Sequence, residues 1–101
     1  MEVLNTIYVV DEWEDDEGNI KIHKPVNVAT EKQAFDVIMG RLTLFIGENK
    51  ECYEKVTRKD LEEFMKADGF FCYCVGEGSS DYRKYFKIIT ITIGVSTNNS
   101  I

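Results

Sequence analysis

Proline, histidine and tryptophan each occur once in 101 residues, and no stretch approaches the eighteen or more consecutive apolar residues of a membrane-spanning helix. With so little proline, and 12% aromatic residues, the chain does not have the composition of a disordered segment. The lone histidine, His23, would have to serve any mechanism that needs an imidazole base, yet no Gly-x-Ser-x-Gly elbow accompanies it. Cysteine is scarce and odd in number, with Cys52, Cys72 and Cys74. The closest two are separated by one residue, too close for an unstrained bridge. The opening MEVLNTIYVV has neither the basic nor the apolar region of a secretory leader. These absences lead to the expectation of a reduced, soluble, cytoplasmic protein.

Positive charge is missing altogether from the first eighteen residues, which carry seven carboxylates, whereas the rest of the chain sums to +1 and the whole to −6. The negative charge is therefore local, most of it in DEWEDDE, where Asp11, Glu12, Glu14, Asp15, Asp16 and Glu17 surround Trp13. Such a field repels nucleic-acid and membrane phosphates and attracts basic protein surfaces, fading beyond roughly 10 Å at ordinary salt. Direct nucleic-acid and membrane partners are thereby disfavoured.

What is present describes a folded globule, with 44% hydrophobic residues and clear periodicities. LNTIYVVDEW is β-branched and aromatic, and IKIHKPVNVA alternates, with Ile20, Ile22, Val26 and Val28 expected on one face and Lys21, His23, Pro25 and Asn27 on the other. DDEGN between them suits a hairpin turn with Gly18 in the left-handed conformation. Pro25 lacks an amide donor, which places its strand at an edge or beside a bulge.

Thr30 and Gln33 form a capping-box pattern, after which Ala34, Phe35, Ile38, Leu42 and Phe45 recur at helical spacing, predicting a helix from about Glu31 to Phe45. Gly40 within it implies either fraying or a close neighbour. Thr57 with Asp60 opens a second helix whose apolar stripe is Leu61, Phe64 and Met65, with Val56 as a staple and Gly69 as its stop. FFCYCV and YFKIITITI read as two further strands joined by GEGSSD, and residues 95–101 as a tail without regular structure. The order ββααββ predicts a single α+β domain over 1–101, two layers deep, with a four-stranded, mainly antiparallel sheet and two helices.

No familiar chemistry accompanies this framework. His23 lies beside Lys21 and Lys24 and is expected to be a solvated surface residue. Cys72 and Cys74 alternate with Phe71, Tyr73 and Val75, where small apolar packing is the ordinary use of the thiol. With Cys52 and His23 they lack zinc-site spacing, so no metal is expected. DEWEDDEGNIKI has neither the alternating acids nor the glycine and glutamate positions of a calcium loop. GEGSS is followed by no Gly-Lys-Ser/Thr, which excludes a phosphate loop of that kind. DYRKYFK interleaves Tyr82, Arg83, Lys84, Tyr85, Phe86 and Lys87 as a base-stacking platform would, but a strand paired with the acidic hairpin accounts for the same charges.

Asp11, Glu12, Trp13, Glu14, Asp15, Asp16 and Glu17 therefore make the candidate partner-binding site, with no catalytic, cofactor or metal residues assigned. Trp13 has the character of an interface anchor, and flanking carboxylates would steer it toward a basic protein surface. The functional expectation is a small, non-enzymatic binding protein that engages such a surface on a nucleic-acid-handling protein, presenting carboxylates where phosphates would lie. In size and charge the chain looks like compact acidic phage inhibitors, anti-CRISPR proteins among them, although no motif carries a residue-level resemblance. The competing class is a structural homo-oligomeric subunit joined through sheet edges or the aromatic strand, its acidic tip merely solvated.

Overall fold

The computed structural model describes residues 2–49, 52, 55–75 and 82–96. Its elements are β1 (Glu2–Asp16), β2 (Asn19–Ile22), β3 (Val26–Val28), α1 (Glu31–Glu48), α2 (Arg58–Asp68), β4 (Phe71–Cys74) and β5 (Tyr82–Ser96). The fold is α+β, with an antiparallel sheet in the order β2-β1-β5-β4 and β3 also paired to β1. Five strands thus occupy four lanes, because β2 and β3 share one side of β1.

The strand expected from Ile20 to Val28 is broken at 23–25. Trp13 pairs with Ile22, Val10 pairs with Val26, and His23 N–H donates to Glu12 O at 3.0 Å. Between the Glu12–His23 and Val10–Val26 positions β1 contributes one residue, Asp11, and the other chain two, Lys24 and Pro25. That extra residue is a bulge, where a proline without an N–H is tolerated. It also reverses the side-chain phase, correcting the single apolar face expected for this stretch. Val26 and Val28 pack against the core while Ile20 and Ile22 face the other side.

Both helix starts follow the sequence pattern. Gln33 N–H donates to Thr30 Oγ1 at 3.1 Å, and Gln33 Oε1 accepts from Thr30 N–H at 3.2 Å, completing the capping box. Thr57 and Asp60 repeat that arrangement on α2. The first helix continues three residues beyond Phe45, ending where Asn49 donates from both its backbone N–H and its side chain to Phe45 O. Around Gly40 the helix is unbroken, and a Cβ there would meet nothing within 4 Å, so neither fraying nor close packing explains the glycine. The second helix stops at Gly69, left-handed at φ 80°, whose N–H donates to Met65 O.

The core is built from Ala34, Phe35, Ile38, Leu42 and Phe45 of α1, Leu61 and Met65 of α2, and the inward residues Val10, Phe71, Tyr73 and Phe86 of the sheet, with Val75 just beyond β4. Phe64, expected in the apolar stripe, is 53% exposed, its ring tilted against that of Phe71 at 5.9 Å between centroids. β1 and β5 pair over their whole length, from Glu2 opposite Ser96 to Asp16 opposite Tyr82, farther than the sequence pattern predicts. The molecule is consequently elongated, 61 × 28 × 23 Å. Val95 and Ser96, expected in the tail, belong to β5, and 97–101 lie outside the described residues.

Candidate functional site

A strand sends successive side chains to opposite faces, so the acidic run in β1 cannot act as one surface. Glu12 and Glu14 are in phase with Val10 and point into the protein, 5% and 9% exposed. Asp11, Trp13 and Asp15 point to the opposite face, and Asp16 and Glu17 lie exposed at the turn. The seven residues singled out from the sequence are therefore three groups with different surroundings.

The inward group is an ionic cluster centred on Lys84, which β5 places opposite Glu14 and which is 3% exposed. Its Nζ is in close contact with Glu12 Oε2 and 3.4 Å from Glu14 Oε1. The same ammonium lies 4.9 Å from the centroid of the Phe45 ring and 5.7 Å from that of Phe86. Arg41 of α1 reaches Glu12 Oε1 at 3.4 Å, and Tyr82 OH donates to Glu14 Oε1 at 3.3 Å. His23 Nε2 is 2.5 Å from Glu14 Oε2 and 3.5 Å from Glu12 Oε2. The same ring nitrogen lies 3.4 Å from Lys84 Nζ, so it sits among two carboxylates and an ammonium.

His23 is thus a half-buried member of this cluster, not the solvated surface residue expected. The physical reason is that it is the last residue before the bulge, directly across from Glu12, and so shares the inward phase. Burial alone would raise the Glu14 carboxyl, but the His23 hydrogen bond and the nearby Lys84 and His23 charges outweigh it and hold the group below its ordinary value. Burial and the Glu14 charge push the Tyr82 hydroxyl up.

Lys84 Nζ lies between the two carboxylates. Among the described residues no group of three His, Cys, Asp or Glu side chains is arranged to hold a metal ion. The cluster joins β1, β5, the bulge and α1.

The outward group is different. Trp13 and Tyr85, paired across β1 and β5, stack at 5.2 Å between centroids with planes 5° apart. Phe70 approaches Tyr85 at 6.2 Å. On the β2 side Ile22 stands opposite Trp13 and Ile20 opposite Asp15, 79% and 65% exposed. Asp11 faces Lys87 and Asp15 faces Arg83 across the strands. The basic residues of DYRKYFK thereby match the acids of β1, the pairing that the charge pattern had suggested. Asp15 Oδ1 also accepts from Gly18 N–H at 2.9 Å, closing a two-residue turn in which Glu17 and Gly18 both have positive φ, 51° and 89°.

Cys72 stands beside Tyr85 on this outer face, its thiol pushed up by burial and by neighbouring Cys74, which makes it a poor nucleophile. Cys74 is exposed and so is not the packing residue expected. The strand period alone could have identified Glu12, Glu14 and Lys84 as inward, since they are in phase with Val10 and Phe86. Nothing local pointed to Arg41 or Tyr82, which arrive by tertiary packing.

A shallow groove of about 540 Å³ lies far along the sheet, where Asn5 and Ile7 of β1 meet Ala29 and Ile93, away from both groups. No helix among the described residues is long and apolar enough to cross a membrane. Compared with known protein families, with curated proteins and with solved structures, the chain matches none.

Proposed function

We propose that this protein is a non-enzymatic binding module that docks another protein on the outer sheet face at its hairpin end. The observation carrying this reading is the apolar patch formed by exposed Ile20, Ile22 and Phe70 with the half-buried Trp13–Tyr85 pair, which lies opposite the helix-backed face and is bordered by Asp15, Asp16 and Glu17. A contiguous apolar surface with a charged rim is the composition of an interface. The stacked Trp13–Tyr85 pair, already held in one geometry, loses little conformational freedom on binding and serves as the anchor.

The partner is a protein with an apolar depression bordered by lysine and arginine. A nucleic-acid-handling protein offers such a border, and rim carboxylates set where phosphates would lie make an inhibitor of the anti-CRISPR kind the most specific form of the proposal. Asp11, Asp15, Asp16 and Glu17 remain candidate contact residues. Glu12 and Glu14 instead support the strand from behind, since Lys84 lies against both, Arg41 reaches Glu12 and the His23 ring is hydrogen-bonded to Glu14.

The test is capture of partners from the native cell at low and high salt by three proteins: wild type, Ile22→Lys, and Asp16→Asn with Glu17→Gln. Ile22 is exposed enough that its replacement should leave folding unchanged. The expected result is one basic protein retained by wild type, lost with Ile22→Lys, and bound more slowly and with less salt dependence by the amide variant. A retained protein indifferent to both changes would overturn the assignment of this face.

A further inference from the structure

The far end of the sheet has an open edge among the described residues. The β4 strand covers the outer edge of β5 from Arg83 to Phe86, and Val75 N–H reaches Tyr82 O, but from Lys87 to Ser96 no described strand lies on that side. The direction of the main-chain groups there follows from the register. Glu12 O accepts from His23, so even-numbered residues of β1 aim at β2 and odd-numbered ones at β5. On β5 the odd-numbered residues are therefore bonded to β1, as their pairing with odd-numbered β1 residues requires. The N–H and C=O groups of Ile88, Thr90, Thr92 and Gly94 point to the open side, in phase with Tyr82 O.

These groups border a segment that reads the same in both directions, Ile89-Thr90-Ile91-Thr92-Ile93. If a second β5 lies antiparallel against the first with a two-fold at Ile91, Ile91 meets Ile91, Ile89 meets Ile93 and Thr90 meets Thr92. The isoleucines, 38%, 43% and 45% exposed, fall on one face and the threonines on the other. The open main-chain groups of Thr90 then meet those of Thr92, and those of Ile88 meet Gly94. From Ile88 onward the chain has no charge and no proline, the devices that ordinarily blunt an exposed edge.

We propose that this edge is a self-association surface through which two copies pair antiparallel over Ile88–Gly94. A second copy is the occupant because an isologous contact demands a strand matching its own reversal, a demand that a foreign strand does not make. Charge points the same way. In a chain of net −6, a like copy meets least repulsion at this neutral end, with the acidic turn at the opposite one. Strand pairing of this length buries on the order of a few hundred Å² per copy, below the roughly 800 Å² per partner of a standard interface, so the dimer is weak and concentration-dependent. The two-fold runs perpendicular to the sheet, which leaves both hairpin-end faces on one side and sets the two turns roughly 60 Å apart at about 3.3 Å per residue.

Sedimentation of the full chain from micromolar to millimolar concentration should show the average mass rising toward that of a dimer. Thr90→Pro removes a donor from the open edge but none from the β1 ladder, and should weaken the dimer about tenfold or more with circular dichroism unchanged. Independently of that variant, Ile91→Cys should oxidise to a dimer linked through position 91, since non-hydrogen-bonded antiparallel pairs have Cα atoms about 4.5 Å apart. Ile89→Cys and Ile93→Cys should link when mixed but not alone, with peptide mapping separating these links from native thiols. A monomer throughout with no such links overturns the proposal, as does a dimer that ignores Thr90→Pro or links position 89 to 89.

Discussion

At the hairpin end of the long β1–β5 pair, three further strands flank the ladder, two helices lie against one face, and the strands carry nearly all the charge of the sheet. At the other end the same two strands run on as a ribbon, and between Val3 and Val10 and beyond Ile88 they carry no charged residue. The hydrogen-bond ladder is continuous through both. What differs is what stands behind it. A strand pair alone is marginal in water, whereas a sheet with a packed face is not. Stability in this molecule should therefore be graded along a single pair of strands, highest around Phe86 and Lys84 and lowest toward Asn5 and Ile93.

The largest effect that could break this comparison is removal of Lys84. Lys84→Ala leaves Glu12 and Glu14 facing each other with much of their compensation gone, and should cost about 3–5 kcal/mol in urea unfolding. Adding Glu12→Gln and Glu14→Gln to that variant should recover a large part of the loss. A cost below about 1 kcal/mol would mean that the hairpin end is no better held than the ribbon.

The packing side of the same comparison comes next. Phe86→Ala, at a fully buried position, should cost about 3–5 kcal/mol. Ile91→Ala, on the ribbon, should cost no more than about 1 kcal/mol when measured at low concentration. Equal losses would dissolve the gradient.

Acid should act on the hairpin end first. The folded pKa of Glu14 is below its ordinary value of 4.5, so its carboxylate contributes stability that is complete above that value and is lost as pH falls through the folded pKa. Wild type should lose stability below about pH 4.5 more steeply than Glu14→Gln, as measured by urea midpoints at a series of pH values. Parallel curves would remove Glu14 as a source of acid sensitivity.

The smallest effect is Gly40→Ala. The helix is regular there and the new methyl group meets only open space, so the variant should gain up to about 1 kcal/mol. A loss would point to packing against this face in solution, which circular dichroism and sedimentation would separate from a folding defect.

Both helices were legible from the sequence because their signals are local. A threonine hydroxyl that accepts from the backbone N–H three residues on, and an apolar residue every third or fourth position, fix a start and a buried face with no help from the rest of the chain. The hairpin turn at Gly18 was legible for the same reason, whereas the matching of DYRKYFK with the acidic strand was legible from complementary charge between distant segments. The candidate site was read less well. As a composition DEWEDDE is one acidic surface, but its alternation separates Glu12 and Glu14 from Asp11, Trp13 and Asp15.

What the sequence determined by itself was the α+β class, the two capped helices and the strong local charge, each set by interactions within a few residues. Only the tertiary structure decided which acids are buried and which remain outside. That required Lys84 to arrive from β5, Arg41 from α1, and His23 from across a bulge whose extra residue reverses the phase of the strand. The length of the β1–β5 ribbon was equally nonlocal, since a strand continues for as long as its partner supplies donors and acceptors. Here that partner lies at the other end of the chain.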